Sequence, residues 1–362
     1  MAIFTDVICD VTKEGRKLPT TEYKSNGKYP IIDQGQNHIA GYTDETDGLF
    51  SNVPAIIFGD HTRIIKYVDA PFFVGADGVK ILKAKDEKAN YKFLYYALSF
   101  AKIPNTGYNR HFKWLKEIDI PTYSEQEEKK IVSELDKICD LITLRKQQLS
   151  KLDELIKSRF IELFGDPIRN EKGWPIVTLG EVAEIRIGPF GSLLHKEDYI
   201  VGGHALVNPS HIIDGNICTD DKLTVSDEKY EELSAYRLSI GDLVLGRRGE
   251  MGRCAVVYED GLLCGTGSII IRPKEKMKPY FLQNIISSPG YKRIIEDKAV
   301  GVTMMNLNVP IVSSLTIPLL PIDMQEQFIA FMQQTDKSKL AIQQSLEKLE
   351  TMKKALMQQY FG

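Results

Sequence analysis

The sequence predicts an α+β protein in which two globular heads are joined by two long antiparallel helices that form a coiled-coil stalk. Three observations predict this fold. A segment of about 48 residues occurs twice, each copy holds a helical pattern of about 40 residues, and the stretches before the two copies resemble each other. The chain is therefore an internal duplication with a pseudo-two-fold axis. The predicted segments are a first head at 1–117, a first helix at 118–167, a second head at 168–314 and a second helix at 315–362.

The repeated segment, 118–165 in the first copy and 315–362 in the second, opens near an Ile-Pro pair and closes at a Phe-Gly pair. A Gln-Glu pair follows the Ile-Pro pair in both copies. Apolar side chains then recur at alternating intervals of four and three residues beside charged residues, which is typical of a coiled-coil helix. The predicted stalk-packing residues are Ile131, Leu135, Ile138, Ile142, Leu149, Leu152, Ile156, Ile342, Leu346, Leu349 and Leu356.

Signals at the helix ends agree with these two helices. Ser124 with Glu127 predicts a capping box at the start of the first helix, and Asp323 with Glu326 predicts its counterpart in the second. Gly165 suits the position just past the first helix, because glycine adopts the left-handed backbone conformation without steric cost.

Short β-type runs between Gly, Asp and Asn turns, together with a helical run, predict an α+β fold for each head. Three runs match between the heads in order and type. They are the strands 54–58 and 242–245, the strands 78–82 and 267–271, and the helices 93–98 and 281–286. The match concerns the pattern, because the polar residues differ between the heads.

Composition narrows the classes of function. The chain has 46 Lys and Arg against 49 Asp and Glu, a net charge of −3, which excludes a strongly basic protein but not local basic patches. Five cysteines without a Cys-x-x-Cys pair disfavour a zinc site or a disulfide framework. No run is apolar over the roughly 20 residues that span a bilayer, and the start lacks a secretory signal pattern, so we expect a cytoplasmic protein. The sequence has no phosphate-binding loop and no His-Glu-x-x-His motif, so no catalytic and no metal site is predicted.

The first head contains a basic segment with interleaved aromatic residues, 101–116, that has no acidic residue. Cations suit phosphate groups, and Asn or Arg side chains suit base edges, so this pattern predicts contacts with nucleic acid. A solvated surface without a ligand is the alternative, which the presence of a patch in both heads disfavours. Together with the turn near residue 61, the predicted DNA-contacting residues of this head are His61, Arg63, Lys66, Tyr108, Asn109, Arg110, His111 and Lys113.

The second head places three arginines on a glycine-rich turn between two predicted strands, 246–253. Further cations and two asparagines lie between 291 and 308, and the glycine-rich turn at 188–192 is followed by another lysine. The predicted DNA-contacting residues of this head are Ser192, Lys196, Arg247, Arg248, Arg253, Lys292, Arg293, Lys298, Asn306 and Asn308.

Four features together point to a known family. They are the repeated unit of Ile-Pro, Gln-Glu, long helix and Phe-Gly, the Trp-Pro-Ile-Val-Thr-Leu-Gly-Glu-Val run at 174–182, the Gly-Pro-Phe-Gly-Ser turn at 188–192, and Gly-Val-Thr-Met-Met-Asn-Leu-Asn at 301–308. On these features the full chain resembles the specificity subunit of type I restriction-modification systems. The first half departs from the pattern, since it lacks the Trp-Pro opening and the Gly-Pro-Phe-Gly-Ser turn.

The resemblance implies two target-recognition domains, each of which reads one half of a bipartite double-stranded DNA target, and a stalk that sets the spacer. It implies no catalysis and no bound cofactor in this chain. The implied partners are two DNA methyltransferase subunits, which bind S-adenosylmethionine and methylate adenine, and restriction subunits, which use ATP and Mg²⁺ for translocation and cleavage. The alternative is a non-catalytic coiled-coil adaptor with two ligand-binding heads.

Overall fold

The computed structural model describes residues 1–75, 77–107, 109–301 and 306–362, with the side chain of Ser192 also outside this description. The chain forms two compact units, residues 1–149 with 341–362 and residues 150–340. Each unit joins one head to part of each long helix. The predicted boundaries separate heads from helices, whereas this division falls inside both helices. The reason is that the apolar face of each helix part packs into the core of a head.

The first unit combines short helices and strands with the first part of a long helix. Its helices are α1 (Phe4–Val7), α2 (Tyr91–Phe100), α3 (Phe112–Leu115) and the first part of α4 (Glu125–Phe164). Its strands are β1 (Ala2–Ile3), β2 (Ile8–Asp10), β3 (Tyr29–Ile32), β4 (Gly41–Thr43), β5 (Ala55–Gly59), β6 (Ile65–Val68), β7 (Phe73–Val74), β8 (Val79–Ala84) and β9 (Asp119–Ile120). One sheet has the order β2-β8-β5-β6, a second has the order β4-β3-β7, and β1 pairs with β9.

The second unit repeats this plan with additional elements. Besides the second part of α4, its helices are α5 (Leu179–Val182), α6 (Asp227–Glu232), α7 (Pro279–Ser287), α8 (Pro289–Lys298), α9 (Val309–Ser313) and the first part of α10 (Ile322–Phe361). Its strands are β10 (Ile176–Thr178), β11 (Ala183–Ile187), β12 (Tyr199–Ile200), β13 (His204–Val207), β14 (Ile212–Ile213), β15 (Asn216–Ile217), β16 (Thr224–Val225), β17 (Leu243–Gly246), β18 (Cys254–Val256), β19 (Leu263–Cys264), β20 (Ser268–Pro273) and β21 (Thr316–Pro318). The main sheet has the order β11-β20-β17-β18 and the smaller one β12-β16-β13-β19, while β14 pairs with β15 and β10 with β21.

The main sheet of the first head is covered on both faces. Ile56 and Phe58 of β5 face a core that includes α2, whereas Ala55 and Ile57 face a second core under the smaller sheet. Because successive strand residues point to opposite faces, a strand buried on both faces is apolar throughout. This explains why the β5 run lacks alternation of apolar and polar residues.

The main sheet of the second head is built in the same way. Leu243 and Leu245 of β17 pack in the core that contains α7 and α8, and Val244 between them packs in the core toward the smaller sheet. Phe281 of α7 is fully buried in the first of these cores. The helical runs predicted at 93–98 and 281–286 are confirmed as parts of α2 and α7.

The two heads share one strand register at the centre of their main sheets. In the first head Ile56 lies opposite Leu82 and Gly59 opposite Val79; in the second head Leu243 lies opposite Ile271 and Gly246 opposite Ser268. The predicted correspondence between the strand runs is therefore confirmed, and it holds residue by residue.

In the first unit, α4 and the last part of α10 pack antiparallel. Buried contacts group Ile131 and Leu135 with Met357 and Phe361, and Ile138 and Ile142 with Leu346. Half-buried beside them are Leu149, Ile342, Leu349 and Leu356. Lys146 Nζ lies 3.2 Å from Glu350 Oε1, so an ion pair also joins the two helices.

In the second unit, the other parts of α4 and α10 also pack antiparallel. The rings of Phe160 and Phe164 each lie 5.4 Å from the ring of Phe328, between ring centres. Ile156 is buried in the same core and Leu152 is half-buried. This aromatic cluster fastens the helix ends to the head, because Phe281 of α7 lies within it.

The predicted ends of α4 are confirmed. The Ser124 amide donates to Glu127 Oε2 at 2.9 Å and the Glu127 amide donates to Ser124 Oγ at 3.3 Å, which is a capping box. Past the last turn, Gly165 has a φ of +76° and its amide donates to the carbonyl of Ile161 at 2.8 Å. That left-handed conformation is the one that favours glycine.

The predicted cap of the second helix is wrong. Helix α10 begins at Ile322, so Asp323 lies inside its first turn rather than at the cap position. Glu326 instead pairs with Lys278, whose Nζ lies 2.6 Å from Glu326 Oε1. A tertiary ion pair thus uses the carboxylate that the local pattern assigned to the cap.

Candidate nucleic-acid interface

In the first head, the turn after β5 is hydrogen-bonded to the segment that leads into α3. The main-chain oxygen of Asp60 accepts hydrogen bonds from the amide of His111 at 2.8 Å and from His111 Nδ1 at 3.0 Å. Asp60 Oδ1 accepts from the amide of Phe112 at 2.7 Å. Asp60 and His111 are both buried, so water does not compete for these bonds and the segment is fixed to the turn.

Two further side chains of the turn strengthen this attachment. His61 Nδ1 lies 3.2 Å from the main-chain oxygen of Asn109, and Arg63 Nη1 donates to the main-chain oxygen of Ile103 at 3.3 Å. Arg63 has a φ of +62°, a conformation uncommon for residues other than glycine. We call residues 59–63, 103–107 and 109–113 together the first-head surface.

The first-head surface presents cations around an open pocket. The pocket has a volume of about 560 Å³ and is lined by Thr106, Asn109, Arg110, Lys113 and Trp114. Arg110 and Lys113 are exposed, and the Lys113 ammonium lies 4.1 Å from the centre of the Trp114 ring. Exposed cations beside an amide and an aromatic ring suit contacts with phosphates and bases.

Two residues predicted to contact DNA in this head are instead buried. Lys66 is 4% exposed, and its Nζ donates to the main-chain oxygen of Asn37 at 2.6 Å and lies 3.4 Å from Asp33 Oδ1. Burial lowers the pKa of this ammonium. His111 is fully buried by its bonds to the turn. The structure corrects both from direct contact to a supporting role, while the predicted Tyr108 lies outside the described residues.

In the second head, the turn after β17 is attached in the same way. The main-chain oxygen of Arg247 accepts from the amide of Leu307 at 3.0 Å, as Asp60 accepts from His111 in the first head. The amide of Arg247 donates to the main-chain oxygen of Gly267 at 3.0 Å. We call residues 246–253 with 306 and 307 the second-head surface.

One arginine of this turn is held and its neighbour is exposed. Arg247 Nε donates to Asn306 Oδ1 at 2.9 Å. Burial lowers the pKa of the Arg247 guanidinium, and the nearby charge of Arg248 acts in the same direction. Arg248 itself is exposed. The turn therefore presents one guanidinium group held by a hydrogen bond and one that is exposed.

The far side of the turn is braced by a carboxylate between two cations. Glu250 Oε2 pairs with Arg253 Nη2, and Glu250 Oε1 lies 3.1 Å from Lys292 Nζ. The hydrogen bonds from Arg253 and from Lys292 hold the pKa of Glu250 below its ordinary value. Arg253 Nη1 also donates to the main-chain oxygen of Pro209 at 3.2 Å. Arg253 and Lys292, both predicted DNA contacts, thus make contacts within the head.

The remaining predicted residues of the second head differ in their exposure and in their local structure. Lys196, Arg293 and Lys298 are exposed. Asn308 is the residue before α9, where its Oδ1 accepts from the amide of Ile311 at 2.9 Å, so it caps that helix. Ser192 lies in a short 3-10 turn, and its side chain is outside the described atoms.

Sequence reasoning missed Asp60 and Gln34, two residues that hold the first-head surface together. Asp60 directly follows the last residue of β5, as Arg247 follows the last residue of β17. Gln34 supports the same turn, because its Oε1 accepts from the amide of His61 at 3.1 Å. The available signal was the strand alignment of the two heads, which puts Asp60 and Arg247 at equivalent positions.

Other kinds of site lack support in the described ranges. No group of three or more His, Cys, Asp or Glu side chains there is placed to hold a metal ion. No helix in the same ranges is both long and apolar enough to cross a membrane. Two related heads with cationic surfaces, each built with parts of two long paired helices, define a two-headed DNA-recognition protein.

Comparison with known proteins identifies the family. The chain belongs to the family described as the type I restriction modification DNA specificity domain, whose sequence profile matches residues 6–154 and 171–351. This family supplies DNA specificity to restriction-modification complexes and is not catalytic.

Individual relatives agree with this assignment. The type I restriction enzyme EcoR124I/EcoR124II specificity subunit of Escherichia coli is 22% identical over 332 residues, which cover 87% of this chain and 81% of that protein. The type I restriction enzyme MjaVIII specificity subunit of Methanocaldococcus jannaschii is 21% identical over 302 residues, 76% of this chain and 70% of that protein. The fold is similar to that in the crystal structure of the type I restriction-modification system S subunit from M. genitalium, with a TM-score of 0.61. The two sequences are 17% identical, and the match covers 99% of this chain and 95% of that chain.

Proposed function

We propose that this chain reads a bipartite DNA target, one half-site with each head, and that its helices dock the methyltransferase subunits of a type I restriction-modification complex. The observation that carries the proposal is the cationic surface that both heads hold at the same end of the same strand. A hydrogen bond from a segment far along the chain fixes that surface in each head, to Asp60 in one and to Arg247 in the other.

The cations set register on the phosphates, and a few side chains discriminate bases. Arg110 and Lys113 in the first head and Arg248 in the second are exposed and suit the phosphate contacts. Asn109 Oδ1 and the guanidinium of Arg247 suit base edges, since amide oxygens accept and guanidinium groups donate hydrogen bonds in the major groove. Asn109 Nδ2 instead donates to Thr106. With a net charge of −3 the chain would hold random duplex weakly, which leaves discrimination to the two surfaces.

The outward faces of the long helices suit the methyltransferase subunits. Large exposed apolar residues on α4 and α10 are Leu141, Leu144 and Met352 in the first unit, and Leu155, Ile161 and Leu340 in the second. Exposed apolar side chains that form a patch on a helix favour contact with a partner. Because each unit has such a set, the proposal includes two methyltransferase subunits, one on each unit.

The chemistry belongs to the partners in this proposal. The methyltransferase subunits would bind S-adenosylmethionine and methylate adenine, and a restriction subunit would use ATP and Mg²⁺. This chain would bind none of these cofactors and would act in the cytoplasm, where its DNA lies. A coiled-coil adaptor with two ligand-binding heads gains no support from the comparisons, whose matches are DNA specificity proteins.

Methylation mapping tests the proposal. The chain is expressed with the methyltransferase subunits of its source in a host that lacks adenine methylation, and the host genome is sequenced for modified bases. We expect methylated adenines in two half-sites separated by a fixed spacer. Methylation at a single uninterrupted motif, or none at all, would contradict the proposal.

A variant pair links the result to the second-head surface. Arg248→Ala removes an exposed guanidinium that makes no contribution to the core, so we expect a lower fraction of methylated sites with an intact fold. Lys222→Ala removes an exposed cation elsewhere in the same head and is the matched control. Equal methylation by both variants would remove Arg248 from the interface.

A further inference from the structure

An aromatic side chain stands exposed on a turn whose backbone is tightly packed. Phe190 is 58% exposed, whereas the preceding Pro189 is buried. At Gly188 a side chain would place its Cβ 2.1 Å from the main-chain oxygen of Gly265, and Gly191 has a φ of +63°. The turn therefore needs glycine on both sides of the Pro189-Phe190 pair, which seats the proline and leaves the phenylalanine in solvent.

This turn leaves the main sheet at the same end as the arginine turn. The amide of Gly188, just after β11, donates to the main-chain oxygen of Ser268 at 2.9 Å. The amide of Arg247, just after β17, donates to the main-chain oxygen of Gly267 at 3.0 Å. Strands β11 and β17 lie on either side of β20, so the two turns start about 10 Å apart, two strand spacings. Phe190 and Arg248 therefore extend from neighbouring turns of one head.

The neighbouring arginine turn favours an anionic occupant. Arg248 on one turn and Lys196, shortly after the other, are exposed. The acid of the arginine turn, Glu250, is already engaged by Arg253 and Lys292. An exposed ring and an exposed guanidinium on neighbouring turns match duplex DNA, whose phosphates flank grooves that expose thymine methyl groups.

We propose that Phe190 makes an apolar contact with the bases of the half-site read by the second head, while Arg248 holds a flanking phosphate. The inference rests on the proposed function, since it assigns a specificity-determining residue to a head that reads DNA. A phenylalanine contact senses base identity through the thymine methyl group or through how readily a base step opens. The contribution of Phe190 to binding affinity therefore depends on the DNA sequence rather than on charge.

Binding of the intact complex to two duplexes tests the inference. The full chain with its methyltransferase subunits is titrated onto a labelled duplex that carries the mapped target, and onto one of equal length with scrambled half-sites, across a salt series. Phe190→Ala should lower affinity for the target about tenfold, as expected for loss of a base–aromatic contact. Affinity for the scrambled duplex and the salt dependence should stay as in the wild type, because no phosphate contact is lost.

Two variants control for the ring and for exposed apolar surface. Phe190→Tyr keeps the ring and should retain most of the discrimination between the duplexes. Ile240→Ala removes a side chain that is 61% exposed near the start of β17, at the opposite end of that strand, and should bind as the wild type does. Circular dichroism verifies that each variant is folded.

The outcomes separate this inference from the proposed function. Wild-type discrimination by Phe190→Ala, in a complex that itself prefers the target, overturns the assignment of Phe190 alone. If Phe190→Ala discriminates the two duplexes normally but its complex loses methyltransferase during purification, the DNA contact is overturned in favour of a contact between Phe190 and a protein. A wild-type complex with no preference for the target would overturn the proposed function and the inference with it.

Discussion

Arg247 Nε donates a hydrogen bond to Asn306 Oδ1 at 2.9 Å, across 59 residues of sequence. The bond fixes the direction of a guanidinium group that is half-buried beside the exposed Arg248. A guanidinium held in one orientation loses less side-chain entropy when it binds DNA. Asn306 is therefore a positioning residue for Arg247.

Asn306→Ala should weaken DNA binding more than it weakens the fold. The variant leaves the Arg247 side chain mobile, and we expect a three- to tenfold loss of target affinity and a loss of about 1 kcal/mol in the free energy of unfolding. Fluorescence anisotropy and denaturant titration measure the two quantities. Asn284→Ala, which removes a similarly half-buried amide on α7, should leave DNA affinity unchanged. Equal affinities for the two variants would contradict the positioning role.

Lys66 and Arg110 should respond differently to loss of charge. Lys66→Met keeps a long side chain in a buried place, so DNA affinity and its salt dependence should remain, although the ion pair with Asp33 is lost. Arg110→Ala removes an exposed cation of the first-head surface and should lower the salt slope by about one. A matching fall in slope for Lys66→Met would show that Lys66 reaches a phosphate after all.

The pH dependence of stability should contain a contribution from Glu250. Its folded-state pKa lies below the ordinary value of 4.5, because Arg253 and then Lys292 donate hydrogen bonds to the carboxylate. A lowered folded pKa stabilises the protein above the unfolded pKa, and that stabilisation is lost as pH falls through the folded value. The melting temperature of Glu250→Gln should thus lie below that of the wild type by a constant amount near neutrality, and the gap should narrow below pH 4.5. A gap that stays constant down to acid denaturation would contradict this assignment.

Matched deletions in the two long helices should change the spacer and leave the half-sites intact. Removal of 143–149 and 344–350 takes one heptad from each helix, at facing positions in the first unit, since Lys146 pairs with Glu350 there. Seven residues correspond to about 10 Å of helix, or at most about three base pairs. Methylation mapping of the double-deletion strain reads out both half-sites and the spacer.

The single deletion serves as the control for this experiment. Removal of 143–149 alone shifts the apolar faces of α4 and α10 out of register, so we expect a large fall in melting temperature and little methylation. Altered half-sites in the double-deletion strain would argue against a helix length that determines the spacer.

Local patterns in the sequence predicted the helices well, and their success had a local cause. The capping box of α4 joins Ser124 and Glu127, which are three residues apart, so no tertiary contact is needed to form it. At the start of α10 the same pattern predicted a capping box that does not form, because Glu326 makes an ion pair with Lys278, which is distant in the sequence. Spacing of residues predicts a structure reliably only where distant partners do not compete.

Burial of polar side chains was less accessible to sequence reasoning. Lys66 lies in the short strand β6, where its neighbours in sequence give no sign that an ammonium is enclosed. Its partner Asp33 is 33 residues away. The bond between Asp60 and the His111 ring likewise spans 51 residues. The sequence shows that basic residues cluster near these turns, but their division into exposed and enclosed members depends on such distant contacts.

The attachment of each cationic segment through main-chain atoms bears on how new target preferences arise. Amide and carbonyl groups are common to every residue except proline, which lacks the amide, so most substitutions along the segment leave its anchoring bond in place. The two heads illustrate the outcome, since Asp60 and His111 in one occupy the places of Arg247 and Leu307 in the other. A duplicated scaffold of this kind lets side chains diverge under selection while the frame that displays them is inherited unchanged.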